Sequence, residues 1–371
     1  MIQINRTYYV LVLLLSTVYT LSAQNTRRNW SDGKLTWNDF IGKQSEKEFS
    51  GFRYFIEYKN GNEKQNDTTV VRFVTSCFLD RTETWTLPEY KTDQYLRFNQ
   101  VMFNVVEIHR RNLQNKLDRQ KSIHEADYLL KTVMAECKSE INRFKSDAKD
   151  GQNMKTIVLW EQITENKLLK LNNEIIPAYT KKDVGYGFGA GFGNSIFTGE
   201  LNNYFSPAFN FVYGFDFSYK KSNLFLNATL GGNRVMRNLS VNEGNLYKGQ
   251  QTTYAIGDLT YGYTLTNNSK LRLIPFAGIG FMEFAGVNRD TDTRISLNSL
   301  CPVLGLTADY KFKKYMNLIP DQFIGAREFV DLVLRGRLYV ARADYNPNLQ
   351  GYSVNLTVSV YGLGSMFKLK N

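Results

Sequence analysis

The chain is poor in the residues that carry metal and redox chemistry and in the runs that make membrane helices. Its 371 residues include two histidines, three cysteines and seven prolines. The spacing of Cys77, Cys137 and Cys301 suits no zinc ribbon or finger. Beyond the N-terminus no stretch reaches the ~20 apolar residues a membrane helix needs, so any membrane crossing must use strands. The charge of +11 is not gathered into one basic stripe: it splits as +6 over 1–182 and +5 over 183–371. That spread argues against a nucleic-acid partner and suits a mildly basic surface near anionic lipid. Few prolines beside 23 Tyr and 25 Phe lean towards β structure.

Residues 1–23 have the form of a secretory signal: Arg6, an apolar YYVLVLLL at 8–15, and LSA at 21–23 before Gln24. No cysteine follows it to take a lipid anchor, so the mature protein is expected to be exported. An oxidising compartment permits a Cys77–Cys137 disulfide; the plainer reading is three unpaired, buried thiols.

Residues 24–180 read as a small α+β domain. Alternation and β-branched content predict strands over 51–58 and 68–78, with a turn near Gly61 and Asn62. From Asp93 the period changes to that of a helix, followed by helices over about 123–146 and 154–171.

Here a resemblance emerges. LTWNDF at 35–40, strands, Thr84-Trp85, then a helix with Phe103 and a Glu107–Arg111 run is similar to a family of predicted secreted zinc-dependent proteases. The resemblance spans about 30–170 and implies a helix carrying H-E-Q-x-H-F and a later His-Gly ahead of a helix bearing Trp. This chain departs from it at every chemical position. FNQVMF at 98–103 puts Phe98 and Met102 where the two ligands would stand, and neither offers zinc a nitrogen or oxygen donor. Asn99 replaces the general base and cannot take a proton from a metal-bound water. Asp150-Gly151 aligns with the His-Gly, ahead of Trp160. The two histidines, His109 and His124, stand in no two-histidine motif. The expectation is a protease-like scaffold without chemistry, holding no metal and no cofactor, with Phe98 and Met102 filling the space of the metal.

From Val184 onward, alternating segments recur. The clearest is AFNFVYGFDFSY at 208–219, with aromatics at every odd position and Ala, Asn, Val, Gly, Asp and Ser between them. A period of two puts the aromatics on one face, which suits lipid outside and a hydrogen-bonded lumen inside. Seven further segments lie at 185–193, 224–230, 252–265, 271–285, 300–312, 329–342 and 352–367. The lipid face of 271–285 stays open, because Ile274 and Phe276 compete with Leu273 and Ile279.

The expected fold is thus an α+β periplasmic domain followed, over 184–371, by an all-β, eight-stranded antiparallel transmembrane barrel resembling the OmpA/OmpX-type small barrels. An even count puts both barrel ends on one side. Longer outer loops then fall at 195–207, 234–251, 286–297 and 344–350, with the inner connection 313–326 longer than the rule predicts. A barrel this narrow is filled by side chains. Inward Asp216, Asp258, Arg272, Asp309, Asp331, Arg335 and Arg337 are expected to pair as a plug.

The functional expectation is a non-enzymatic outer-membrane protein whose inactive protease-like periplasmic domain binds an envelope partner or supports the envelope. The expected partners are outer-membrane lipid and a periplasmic or envelope protein of unknown identity. The alternatives are a tethered periplasmic metalloprotease, a small pore or transporter, or a soluble β-sandwich or lipocalin-like barrel.

Overall fold

A computed structural model describes residues 26–45, 48–171, 176–241, 244–287, 292–323 and 325–370; the expected signal segment lies outside them. The chain divides into two compact units. One comprises residues up to 63, 71–177 and 319–325, and the other comprises 64–70, 178–318 and 326–371.

The first unit is built on three helices and a hairpin, β1 (Tyr54–Gln65) with β2 (Thr68–Asp80), apart from the hairpin tip over 64–70, which is counted with the other unit. The expected turn at Gly61 and Asn62 does not form there. The strand stays extended through Gly61, where a Cβ would lie 2.6 Å from Val74 Cγ2. The chain reverses instead at Asn66 and Asp67, with Asn66 in the left-handed region at φ 55° that asparagine tolerates.

Helix α1 (Asp93–Arg119) starts where the Thr92 side chain accepts the Tyr95 N–H, with Asp93 in its first turn and Lys116 and Arg119 in its last. Those charges complement the helix dipole. Its buried set, including Phe98, Val101, Met102, Val105, Leu113 and Leu117, covers more than one stripe. That width is needed because α2 (Ala126–Asp147) and α3 (Met154–Lys170) both pack on it. The expected helices therefore stand within a few residues of their predicted bounds. All three cysteines are free and buried, so the Cys77–Cys137 bond is not made; the Cys77 thiol donates to Glu107 Oε2 at 3.3 Å.

The second unit is a ring of eight antiparallel strands: β3 (Tyr179–Phe197), β4 (Ala208–Tyr219), β5 (Ser222–Arg234), β6 (Gln251–Tyr263), β7 (Leu271–Val287), β8 (Arg294–Asn317), β9 (Arg327–Asn346) and β10 (Leu349–Leu369). Neighbours in sequence pair throughout, β7 with β8 included. The ring closes where β10 pairs β3, from Ser353↔Phe197 to Leu369↔Tyr179. No strand edge remains within this circuit, which is what a wall in lipid requires.

The AFNFVYGFDFSY strand is β4, with the predicted bounds, and its six odd-position aromatics are 37–63% exposed while Asn210 and Asp216 are buried. The open face of β7 is resolved: Ile274 and Phe276 point inward and are buried, whereas Ile279 and Phe281 are outward and exposed. Several connections are shorter than expected because the strands run on. The 313–326 connection shrinks to 318–326, since β8 continues to Asn317 past a bulge between Lys311 and Lys313. The 344–350 loop reduces to a tight turn, with Asn346 already paired to Leu349. The 195–207 loop holds a short helix, α4 (Glu200–Tyr204), and 234–251 holds a small hairpin, Leu239–Val241 with Gly244–Leu246.

Candidate functional site

In the first unit, the two positions where the resemblance implies zinc ligands on the helix are packed in the core. Phe98 and Met102 are each 2% exposed in the core. The Phe98 ring lies 5.0 Å from Phe144, which lies 5.2 Å from Trp160. Asn99 is buried and donates to the Tyr95 carbonyl at 2.7 Å, one helical turn back.

Asp150 and Gly151 both take left-handed backbone, at φ 51° and 92°. A Cβ on Gly151 would lie 2.9 Å from Tyr95 Cε1 and 3.3 Å from Phe98 Cγ. The structure thus brings the Asp150-Gly151 turn against the Phe98 ring, as the alignment implies, yet leaves the Asp150 side chain exposed. Two apolar side chains, an amide and one solvent-facing carboxylate do not fit zinc. Among the described residues, no three His, Cys, Asp or Glu side chains converge to hold a metal.

His109 is engaged by a carboxylate elsewhere in the unit. His109 Nε2 lies 2.8 Å from Glu140 Oε2, and Glu140 also accepts from Lys167 at 2.9 Å. The His109 hydrogen bond, helped by Lys167 and opposed by burial, holds the Glu140 carboxyl down at about 2. His124 lies in a short 3-10 turn after α1.

Sequence reasoning missed a buried polar cluster on α1. Glu107, buried, accepts from Arg110 and Arg111 at 2.7 Å each, and from Cys77. Burial would raise its pKa, but the two guanidiniums outweigh that and hold it low. Arg72 holds Asp118 in a buried pair whose Nε–Oδ1 distance is 3.0 Å. Burial outweighs Arg72 there, pushing the Asp118 carboxyl up to about 6.

In the second unit, six of the seven predicted interior charges join two networks. Arg335 donates Nη1 and Nη2 to Asp216 at 2.9 and 2.6 Å, and Nε and Nη2 to Asp309 at 2.6 and 3.1 Å. Arg272 reaches Asp309 at 2.7 Å. Arg337 grips Asp258 bidentately at 2.9 and 2.7 Å. The seventh, Asp331, stands apart and pairs with Lys311 at 3.5 Å. Lys311, inward by parity, makes four cations to four carboxylates, so the layer is neutral.

The guanidiniums are also sandwiched by rings. Arg335 lies 3.9 Å from the Tyr361 centroid, and Arg337 lies 4.3 Å from that of Phe276. Tyr361 fits because Gly189 and Gly214 leave it room: Cβ atoms there would stand 2.2 Å from its Cδ2 and 2.4 Å from its hydroxyl.

The plug is not made of salt bridges alone. Towards the loop end the lumen is apolar and aromatic. Phe205 stacks on Phe284 at 4.0 Å, and Phe197 and Tyr254 pack around them. The Tyr254 hydroxyl lies 2.9 Å from Ser353 Oγ. Strand parity carried part of this signal in the inward Tyr254, while the open face of 271–285 left Met282 and Phe284 unassigned. Phe197 and Phe205 lie within the predicted loop 195–207 and gave none. At the turn end the lumen opens into a vestibule of about 270 Å³, lined in part by Lys181, Arg272, Lys311 and Asp331.

A closed eight-stranded antiparallel ring, aromatic and apolar outside and filled by neutralised charge and rings inside, defines a small membrane-spanning β-barrel. No protein family and no curated protein matches the chain. The solved structures it is similar to include three outer-membrane proteins. Ail, the attachment invasion locus protein of Yersinia pestis, is 9% identical, with 50% of this chain and 98% of that chain covered and a TM-score of 0.28. Neisserial surface protein A is 10% identical, with 49% and 97% covered and a TM-score of 0.32. OprG from Pseudomonas aeruginosa is 12% identical, with 51% and 98% covered and a TM-score of 0.27. At such scores the likeness adds no weight; the closed register and the exterior of this chain carry the assignment by themselves.

Proposed function

We propose that this chain is an outer-membrane barrel protein whose first unit is a periplasmic, catalytically inactive, protease-like domain with a binding or envelope-supporting role. The observation that carries the reading is the packed Phe98–Met102 face, with the Gly151 turn pressed on the Phe98 ring where the resemblance implies a metal. A scaffold kept while its ligand and base positions become core can still present a surface to a partner. The barrel serves as the anchor, and its filled lumen supports anchoring over conduction.

The test uses the full-length protein purified in detergent. It is expected to carry no stoichiometric zinc and to leave casein intact; bound zinc together with chelator-sensitive cleavage refutes the inactive reading. Fractionation tests the location: recovery in the outer membrane, released only by detergent, supports it, and release by salt or alkali refutes it.

A further inference from the structure

The two rims of the barrel differ sharply in charge. At the turn end, the strand ends and turns over 178–185, 218–223, 263–272, 310–318, 326–332 and 363–370 hold twelve lysines and arginines against three acids, and ten against two once the interior-layer Arg272, Lys311 and Asp331 are set aside. At the loop end, 194–210, 232–252, 284–298 and 342–354 hold six against five.

We propose that the turn-end rim is a seat for anionic phospholipid head groups in the leaflet it faces. Three rim lysines lean on nearby tyrosine rings: Lys220 Nζ is 5.4 Å from the Tyr219 centroid, Lys221 Nζ is 6.0 Å from Tyr263, and Lys313 Nζ is 4.9 Å from Tyr315. Tyr219 and Tyr263 are exposed on the outer wall, and tyrosines there stand at head-group depth. The stacking therefore holds the ammonium groups at the level of lipid phosphates rather than beyond it.

Lys220 also occupies a left-handed turn position, at φ 54°, which Gly or Asn fills at less cost. Two rim lysines have carboxylate partners within the unit: Lys314 pairs with Asp67, and Lys311 with Asp331. No salt bridge engages Lys220, Lys221 or Lys313 among the described residues, which leaves their charge to lipid.

This inference rests on the membrane-spanning reading, and one experiment separates the two. Full-length protein is folded into phosphatidylcholine vesicles with a minority of phosphatidylglycerol, and the relative association of spin-labelled phosphatidylglycerol and phosphatidylcholine with the barrel is measured. Failure to gain the heat-modifiable mobility of a folded barrel in any vesicle overturns the spanning reading. With the barrel folded, phosphatidylglycerol is expected to be favoured about three- to tenfold at low salt, falling towards parity at high salt. Lys220→Glu/Lys221→Glu/Lys313→Glu should abolish the preference, while Arg234→Glu at the other rim should leave it. A wild-type ratio near one at low salt, or a preference that persists in high salt, overturns the rim seat whether or not the triple variant folds.

Discussion

Removing the guanidinium of Arg335 tests the interior most directly. Arg335→Ala deletes four hydrogen bonds to two carboxylates that are 4% and 0% exposed, Asp216 and Asp309. Asp309 keeps Arg272 at 2.7 Å, but Asp216 keeps only the same guanidinium at 3.8 Å. One buried carboxylate is then left without adequate compensation, which costs about 3–5 kcal/mol. The partner experiment is Arg335→Met with Asp216→Asn, which restores neutrality and fills much of the space. It should recover more than half of the loss, because the desolvated charge is gone rather than stranded. Reversible urea unfolding in phosphatidylcholine vesicles, followed by electrophoretic mobility, reads the barrel. All four tryptophans, Trp30, Trp37, Trp85 and Trp160, lie outside it, so fluorescence reports the first unit separately. A single variant that loses less than about 1 kcal/mol, or a double variant no better than the single, would refute the view that charge neutrality holds this layer.

Other outcomes follow from the same geometry. Phe284→Ala removes a fully buried ring stacked on Phe205 and should cost the barrel about 3–5 kcal/mol, with tryptophan fluorescence unchanged. Gly189→Val would set a Cβ 2.2 Å from Tyr361 Cδ2 and 2.5 Å from the Val360 carbonyl; the folded, heat-modifiable band should be lost or strongly reduced. In planar bilayers the wild-type protein should show no resolved conductance, and a step that disappears in Arg337→Ala would refute the plug. In the first unit, the depressed Glu140 pKa contributes stability that is present above the ordinary value of 4.5 and lost as pH falls towards about 2. Acid unfolding read by tryptophan fluorescence should be flatter across that window in Glu140→Gln.

The barrel was legible because a wall between lipid and a narrow lumen forces strict alternation, and β4 displays it without interruption. The charged interior was legible for the same reason, since an inward Asp or Arg on such a strand has nowhere else to go. The aromatic layer was harder to read. An inward Phe284 looks like an outward one until the ring closes, and Phe205 belongs to a connection. The loops were overestimated because polar strand ends beyond the bilayer carry no apolar alternation, as in β8 past Phe312. In the first unit, periodicity located the helices well but left Arg110 and Arg111 outside the apolar face and did not mark Glu107 as buried. Their burial depends on what packs against α1, which spacing along one helix does not encode. The Gly61–Asn62 turn failed because both candidate turns carry turn-forming residues, and only cross-strand packing chooses between them.

The order in which the interior charges enter the chain has a consequence for assembly. Asp216 on β4 and Asp258 on β6 are made well before Arg335 and Arg337, which both sit on β9, the seventh of eight strands. Until β9 arrives, Asp258 has no guanidinium to meet and Asp216 only that of Arg272 at 3.8 Å, so both must remain hydrated. The sheet therefore cannot dry its inner surface piecemeal. Dehydration, neutralisation and closure fall together in the last quarter of the chain, so a truncation before β9 should leave an open, wet sheet rather than a smaller barrel.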